Sequence, residues 1–367
     1  MTVMKRMTSA KKSTSRRSFL RNGIVSAGAA TLSATVMAKE LSALEPAEEG
    51  PAITEGDVAI LQFLAAAELI ERDLWQQYNE LGGVDAALSG YVAALSVLDG
   101  DMPQYISDNT DDEISHETFL NAYLASKGAP MVNLDEFRRL PSSQARGAAQ
   151  IGRLTNLMQL TVDTSWWTRY RSTRNPDLGA SFPQLIPSLN KGQHTAIPRN
   201  EAELGDATNI SDHVQAIANT AAFHFAFIEE GGSSLYPTLA QKVSNLEVLR
   251  ILLSIGPSET AHFQTWHDKA GNAPQVTDGS LVFPDLNAPA FQGEDVKKNL
   301  IMPEPCQFIS SKLPPCSIIR PTATRLGGAV ATIESFLRDG LFIGQGTDFI
   351  QFLFTLAAAA DRAKREL

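Results

Sequence analysis

The 367-residue chain has little cysteine, no long apolar run and no surplus of basic charge, and each shortage closes off a class of protein. Its two cysteines, Cys306 and Cys316, lie close together in a proline-rich segment. They can close a single short loop in an oxidising compartment, worth about 3 kcal/mol by chain entropy, or stand as two separate thiols. No segment approaches the roughly 18 consecutive apolar residues of a membrane span. The mature chain is therefore expected to be soluble, with no stable membrane span. With 31 Lys+Arg against 41 Asp+Glu the net charge is -10. Such a chain repels phosphate backbones, which argues against nucleic acid as a partner.

The basic charge that is present gathers at the start. Residues 1–38 hold seven Lys or Arg and no acid, then Ser15-Arg16-Arg17-Ser18-Phe19-Leu20-Arg21, then a weakly apolar Gly/Ala/Ser/Val run ending near Val36-Met37-Ala38. This resembles a twin-arginine export signal, with paired arginines, a short apolar stretch and a small-residue cleavage site. The resemblance implies the twin-arginine translocation machinery as a partner and a periplasmic or extracellular location. Removing the segment leaves 24 basic residues against 41 acidic ones, a net charge near −17. Residues 39–53 read as a linker.

Beyond the linker the chain is helical in pattern. From Ile53 to about Leu81, Val58, Leu61, Leu64, Ala65, Glu68, Arg72 and Trp75 recur at threes and fours, and Gly82-Gly83 stop the run. A second helix is expected from about Asn109–Asp112 to Ser126, after an irregular insert. A long crossover, about 128–210, is expected to hold one helix over roughly Ser143–Tyr170. The third helix starts at Ser211-Asp212 and leads through Phe225 to Glu229. The fourth opens on Ser244-x-x-Glu247, a capping box, and Gly256-Pro257 should kink or restart it. Beyond Ala273 the chain is rich in Pro, Asn and Gly to about 324, before a final helix over Thr347–Leu367 that should pack on the bundle as a lid or an oligomer contact.

Within these helices Glu-x-x-His occurs twice, as Glu113 with His116 and as Glu259 with His262. Residues three apart share a helix face, so each pair can reach one metal, and a single Glu from each remaining helix completes a two-metal site. Glu68 and Glu229 are the candidates, each with an aromatic seven residues on, Trp75 and Tyr236; Glu71 and Glu230 are the alternatives. Four carboxylates match two divalent cations in charge, and carboxylate with imidazole suits iron or manganese. Glu113 and Glu259, each sharing a turn with a His, are expected to bridge; Glu68 and Glu229 are expected to be terminal. His194, His213, His224 and His267 lack the motif and read as surface or core residues. Trp75 and Tyr236 read first as core packing, with a role behind the ligands or in redox chemistry as the alternative.

The segments Glu68-Leu-Ile-Glu71-Arg-Asp73-Leu-Trp75, Asp112-Glu113-Ile-Ser-His116, Glu229-Glu-Gly-Gly232-Ser-Ser-Leu-Tyr236 and Ser258-Glu259-Thr-Ala-His262 resemble the ferritin-like superfamily, and more closely its exported bacterial, desiccation-related members. The resemblance implies an all-α, ferritin-like four-helix bundle over residues 54–273, with the long crossover between helices 2 and 3 and an extended C-terminal segment, 274–367. It implies two Fe or two Mn ions and oxidoreductase chemistry with O2, peroxide or ferrous iron. A stress-related scaffold with structural metal or none is the alternative. The crossover, the tail and Pro257 argue against a storage cage; a smaller homo-oligomer stays open.

Overall fold

The computed structural model describes residues 52–169, 183–291 and 328–366, with 303–304, 310, 312 and 316–317 between the last two stretches. The export signal, most of the linker and Cys306 lie outside them. Four long helices dominate: α1 (Glu55–Gly82), α3 (Met102–Ser126), α6 (Asp212–Ala240) and α7 (Leu246–Ala270). Between them lie α2 (Gly90–Leu98) and the short α4 (Trp166–Arg169) and α5 (Glu201–Leu204). A two-stranded hairpin comes next, β1 (Val276–Asp278) with β2 (Leu281–Phe283), then the pair β3 (Pro303–Glu304) and β4 (Cys316–Ser317), both antiparallel. The chain closes with α8 (Ala329–Arg338) and α9 (Thr347–Arg362). The fold is all-α in its core, and among the described residues no helix is long and apolar enough to cross a membrane.

Three of the four long helices start on a side-chain cap. Thr54 and Asp57 form a reciprocal capping box on α1, and Ser211 caps α6. Asp57 also accepts from the backbone amides of Ser244 and Asn245, tying the start of α1 to the α6–α7 turn. The fourth helix does not use the expected Ser244/Glu247 box. Asn245 caps it, accepting from the amides of Glu247 and Val248, while the Glu247 carboxylate pairs with Lys127 at 2.7 Å.

Cross-helix contacts give the directions. Ser107 bonds Asn79 and Arg72 pairs with Glu117, so α1 and α3 run antiparallel. Trp75 packs on Phe225 and Tyr236 bonds Glu68, so α1 and α6 are antiparallel too. The second and third bundle helices are therefore parallel, and only a long connection can join them.

Several expectations about the connecting segments fail. The insert after α1 is not irregular: it holds α2, and α3 begins at Met102 with Pro103 in its first turn, well before Asn109. Nine residues are too few for α2 to show a clear period. No helix starts at Ser143; among the described residues of 143–170 only Trp166–Arg169 is helical. Gly147 takes a positive φ of 105° in a turn, and a side chain at Gly152 would meet the Arg138 carbonyl at 2.0 Å, so this stretch loops back and is closed by an antiparallel bridge from Leu140 to Arg153. Pro257 does not interrupt α7. Its missing N–H falls opposite Leu253, which is 59% exposed, so water can serve the freed carbonyl. The final helix ends at Arg362, short of Leu367, and α8 precedes it. α9 buries Phe349, Leu353, Ala357 and Ala360 and lies along α1, where Ala363 closes on Gly56.

One carboxylate holds the crossover to the bundle. Asp73, fully buried on α1, accepts from the amides of Leu154 and Thr155, the Thr155 hydroxyl and Gln77, and pairs with Arg138 at 2.6 Å. Removing one partner of such a network strands the others without water. Asp73→Ala should cost about 3–5 kcal/mol, read as a lower midpoint in urea unfolding with the far-ultraviolet helix signal of the remaining folded fraction unchanged.

Candidate metal centre

The bundle brings all six motif residues together. Glu68, Glu113, His116 and Glu259 place ligand atoms within 4.8 Å of one another, and so do Glu113, Glu229, Glu259 and His262. The two groups share Glu113 and Glu259. Glu71 and Glu230, both buried, belong to neither group. Glu259 is fully buried in spite of Pro257.

Nδ1 of each imidazole faces the cluster. His116 Nδ1 lies 3.0 Å from Glu113 and 3.4 Å from both Glu68 and Glu259. His262 Nδ1 lies 3.2 Å from Glu229 and 3.3 Å from Glu113. The opposite nitrogens are held from outside, by residues that no motif pointed to. Nε2 of His262 is 2.9 Å from Asp112, and Nε2 of His116 is 3.2 Å from Ser258 Oγ. The Ser258 hydroxyl gives its proton to the Ile255 carbonyl, so its oxygen is left to accept from His116. Both arrangements hold a proton on Nε2 and turn Nδ1 inward, where a cation would take the place of the proton that Nδ1 shares with the glutamates. Asp112 and Ser258 each directly precede a shared Glu, and each reaches the His of the other helical hairpin. That repeated position is the signal by which they could be found.

Glu68 and Glu229 are held differently. Tyr236 donates its hydroxyl to Glu68. Trp75, its counterpart in spacing, makes no hydrogen bond to Glu229; its ring packs on Trp266 and Phe225. Asn109 does that work, donating to Glu229 at 3.0 Å and to Glu113 at 2.7 Å while accepting from the Trp266 indole. The other histidines match the non-ligand reading: His224 and His267 are buried and His213 pairs with Asp278 at the surface.

Electrostatics shows what the cluster lacks when only protons are on hand. Burial, with the charges of Glu113, Glu68 and Glu229, lifts the Glu259 carboxyl well above the usual range. Burial pushes Glu113 up as well, and hydrogen bonds from both imidazoles only partly oppose it, leaving it at about 7. Burial alone would lower the His116 imidazole, yet its bonds to Glu113 and Glu68 push it up to about 11. His262 is likewise raised against burial by the Glu229 charge and its bonds to Asp112 and Glu113. The groups compete for positive charge. Both oxygens of Glu259 and one of Glu68 find no hydrogen-bond donor among the described residues. Buried carboxylate oxygens left unserved beside two inward-turned Nδ1 atoms are what a cation would satisfy, so the residues fit a metal pair.

Room for this cluster comes from glycine. A β-carbon on Gly232 would lie 2.4 Å from a Glu259 carboxylate oxygen, and one on Gly256 would lie 2.8 Å from the Tyr236 β-carbon. Helices α6 and α7 approach closely because both positions are bare. On the outer side an open groove of about 810 Å³, lined by Ile114, His116, Phe119, Ala122 and Ile255 among others, reaches His116.

Fold and cluster define a class: a four-helix bundle with a doubled Glu, Glu-x-x-His constellation at its centre. The chain belongs to the ferritin-like domain family, whose sequence model matches residues 56–272, more than half of the chain. Neither a curated protein nor a solved structure matches it.

The clash at Gly232 is with the tip of a flexible side chain. Gly232→Ala should leave the unfolding free energy within about 1 kcal/mol of the parent, because the better helix former offsets the crowding. A crystal structure of the variant should show Glu259 turned out of the cluster.

Proposed function

We propose that Glu68, Glu113, His116, Glu229, Glu259 and His262 bind two iron or two manganese ions. We further infer that the protein is exported by the twin-arginine route and performs redox chemistry on O2, peroxide or ferrous iron. The observation that carries this reading is the pair of four-residue groups sharing Glu113 and Glu259. In this reading Glu113 and Glu259 would hold both ions, Glu68 and Glu229 would each hold one, and each imidazole would bind through Nδ1.

Bound iron or manganese would supply the electrons exchanged with oxygen or peroxide. The chain does the rest. Asp112 and Ser258 orient the imidazoles, Tyr236 and Asn109 hold the terminal carboxylates, and the apolar helix faces exclude bulk water. The groove beside His116 offers a small oxidant or a ferrous ion a path in from the surface. The twin arginines support export, since that route carries folded proteins whose cofactor is inserted beforehand.

Protein purified from its own exported compartment should carry about two Fe or Mn per chain, a count set by the doubled ligand set. Glu113→Ala, which removes a residue shared by both groups, should lower it to below about one. Less than one ion per chain, unchanged by that substitution, leaves the bundle a scaffold without enzymatic chemistry. Asp112→Asn and Ser258→Ala should each weaken metal binding by about 10- to 100-fold while the chain stays folded.

Metal uptake should also depend on pH. The unloaded cluster holds protons on Glu113, with a value of about 7, and on His116, with a value of about 11. A cation must displace them, so affinity weakens as pH falls. Calorimetry in buffers of different ionisation heat should record net proton release at neutral pH.

A further inference from the structure

Aromatic side chains lead away from the cluster in an unbroken run. Asn109, bonded to Glu113 and Glu229, accepts from the indole N–H of Trp266 at 2.7 Å. The Trp266 ring stacks on Trp75 at 5.3 Å between centroids, and Trp75 lies 5.8 Å from Tyr78. Phe225 packs against all three, at 4.7, 4.8 and 4.6 Å. The run ends where the Tyr78 hydroxyl meets Nδ1 of His224 at 2.7 Å.

Both end residues are buried, and Nε2 of His224 has no hydrogen-bond partner among the described residues. An apolar pair such as Phe and Leu would fill the same space without stranding a polar atom. Burial holds the His224 imidazole down at about 3, so it is neutral and its Nδ1 can accept a proton. The other described tyrosines lack such a partner. Tyr91 bonds the Ala196 carbonyl, Tyr123 bonds Glu247, and Tyr236 bonds Glu68, whose oxygens a metal would claim, while Tyr105, edge-on to Trp266, has the Lys269 ammonium over its ring, a charge that disfavours loss of an electron.

We propose that Tyr78 and His224 form a proton-coupled one-electron donor that serves the metal cluster through Trp75 and Trp266; this rests on the metal reading above. Were peroxide to oxidise metal held in the cluster, the Tyr78 phenol would give one electron along the rings of Trp75 and Trp266 toward it, replacing one of those that the peroxide had taken. The phenolic O–H bond breaks, and the proton forms an N–H bond at Nδ1 of His224. Tyr78 is left as a neutral phenoxyl radical beside an imidazolium. A phenol that has lost an electron is a very strong acid, so even a weakly basic imidazole takes its proton. The pair thereby draws an oxidising equivalent away from the carboxylates and imidazoles that hold the metal.

The test uses the full chain loaded with ferrous iron, its iron content measured, then mixed with hydrogen peroxide and frozen for electron paramagnetic resonance. The expected result is an organic radical whose hyperfine pattern changes when the protein carries ring-deuterated tyrosine. The signal is lost in Tyr78→Phe at unchanged iron content, and its yield falls in His224→Gln and in Trp75→Phe. A chain that holds iron and gives no tyrosyl signal overturns the proposal, as does a signal that survives Tyr78→Phe or that only Tyr236→Phe removes. If Tyr78→Phe does not fold, an unchanged yield in His224→Gln overturns it. A chain that takes up no iron overturns this proposal together with the metal reading.

Discussion

Glu68, Glu113, Glu229 and Glu259 each expose 1% or less of their surface inside one apolar bundle, and their mutual repulsion sets a requirement that the surrounding structure answers. Carboxylates taken out of water resist ionisation unless positive charge or hydrogen-bond donors reach them. Tyr236, Asn109 and the two imidazoles serve part of that need, and the oxygens of Glu259 remain unserved. Fold and metal chemistry are thus two sides of one constraint. The helices are held close enough to concentrate negative charge, and a cation pair would relieve it.

That closeness is assembled from outside the cluster. Asp57 fastens the start of α1 to the α6–α7 turn, Asp73 fastens the crossover to the middle of α1, and α9 lies along α1. Glycines at 232 and 256 let α6 and α7 approach until Glu259 and Tyr236 interdigitate. Most of these supports hold α1 in place, and the crossover lets α3 and α6 run parallel. The two Glu-x-x-His helices, α3 and α7, are antiparallel neighbours, so each can steady the other's imidazole.

The resulting site is only approximately symmetric. An aspartate stands behind one imidazole and a serine behind the other; a tyrosine steadies one terminal carboxylate and an asparagine the other. The asparagine side carries the aromatic run through Trp266 and Trp75 to Tyr78 and His224. A duplicated helical hairpin supplies the ligand set twice, and differences around it give the two halves different surroundings.

Much of this was legible in the chain. Helical periodicity located the long helices, Ser211 marked the start of the third, and the spacing of Glu and His on helix faces named the residues that the bundle gathers. Those features are local: three residues on a helix share a face whatever the rest of the chain does. The connecting segments were not legible, because α2 is too short to show a period and the course of 141–165 depends on Asp73 and on Gly147 and Gly152. Pro257 misled because its cost depends on whether the freed carbonyl meets water, which is a matter of exposure. The sequence by itself determined the fold class and the six clustered side chains. Only the tertiary structure decided that Asp112 and Ser258 reach across hairpins, that Asn109 serves Glu229 as Tyr236 serves Glu68, and that Tyr78 meets His224, since residues far apart in the chain become neighbours only once the helices pack.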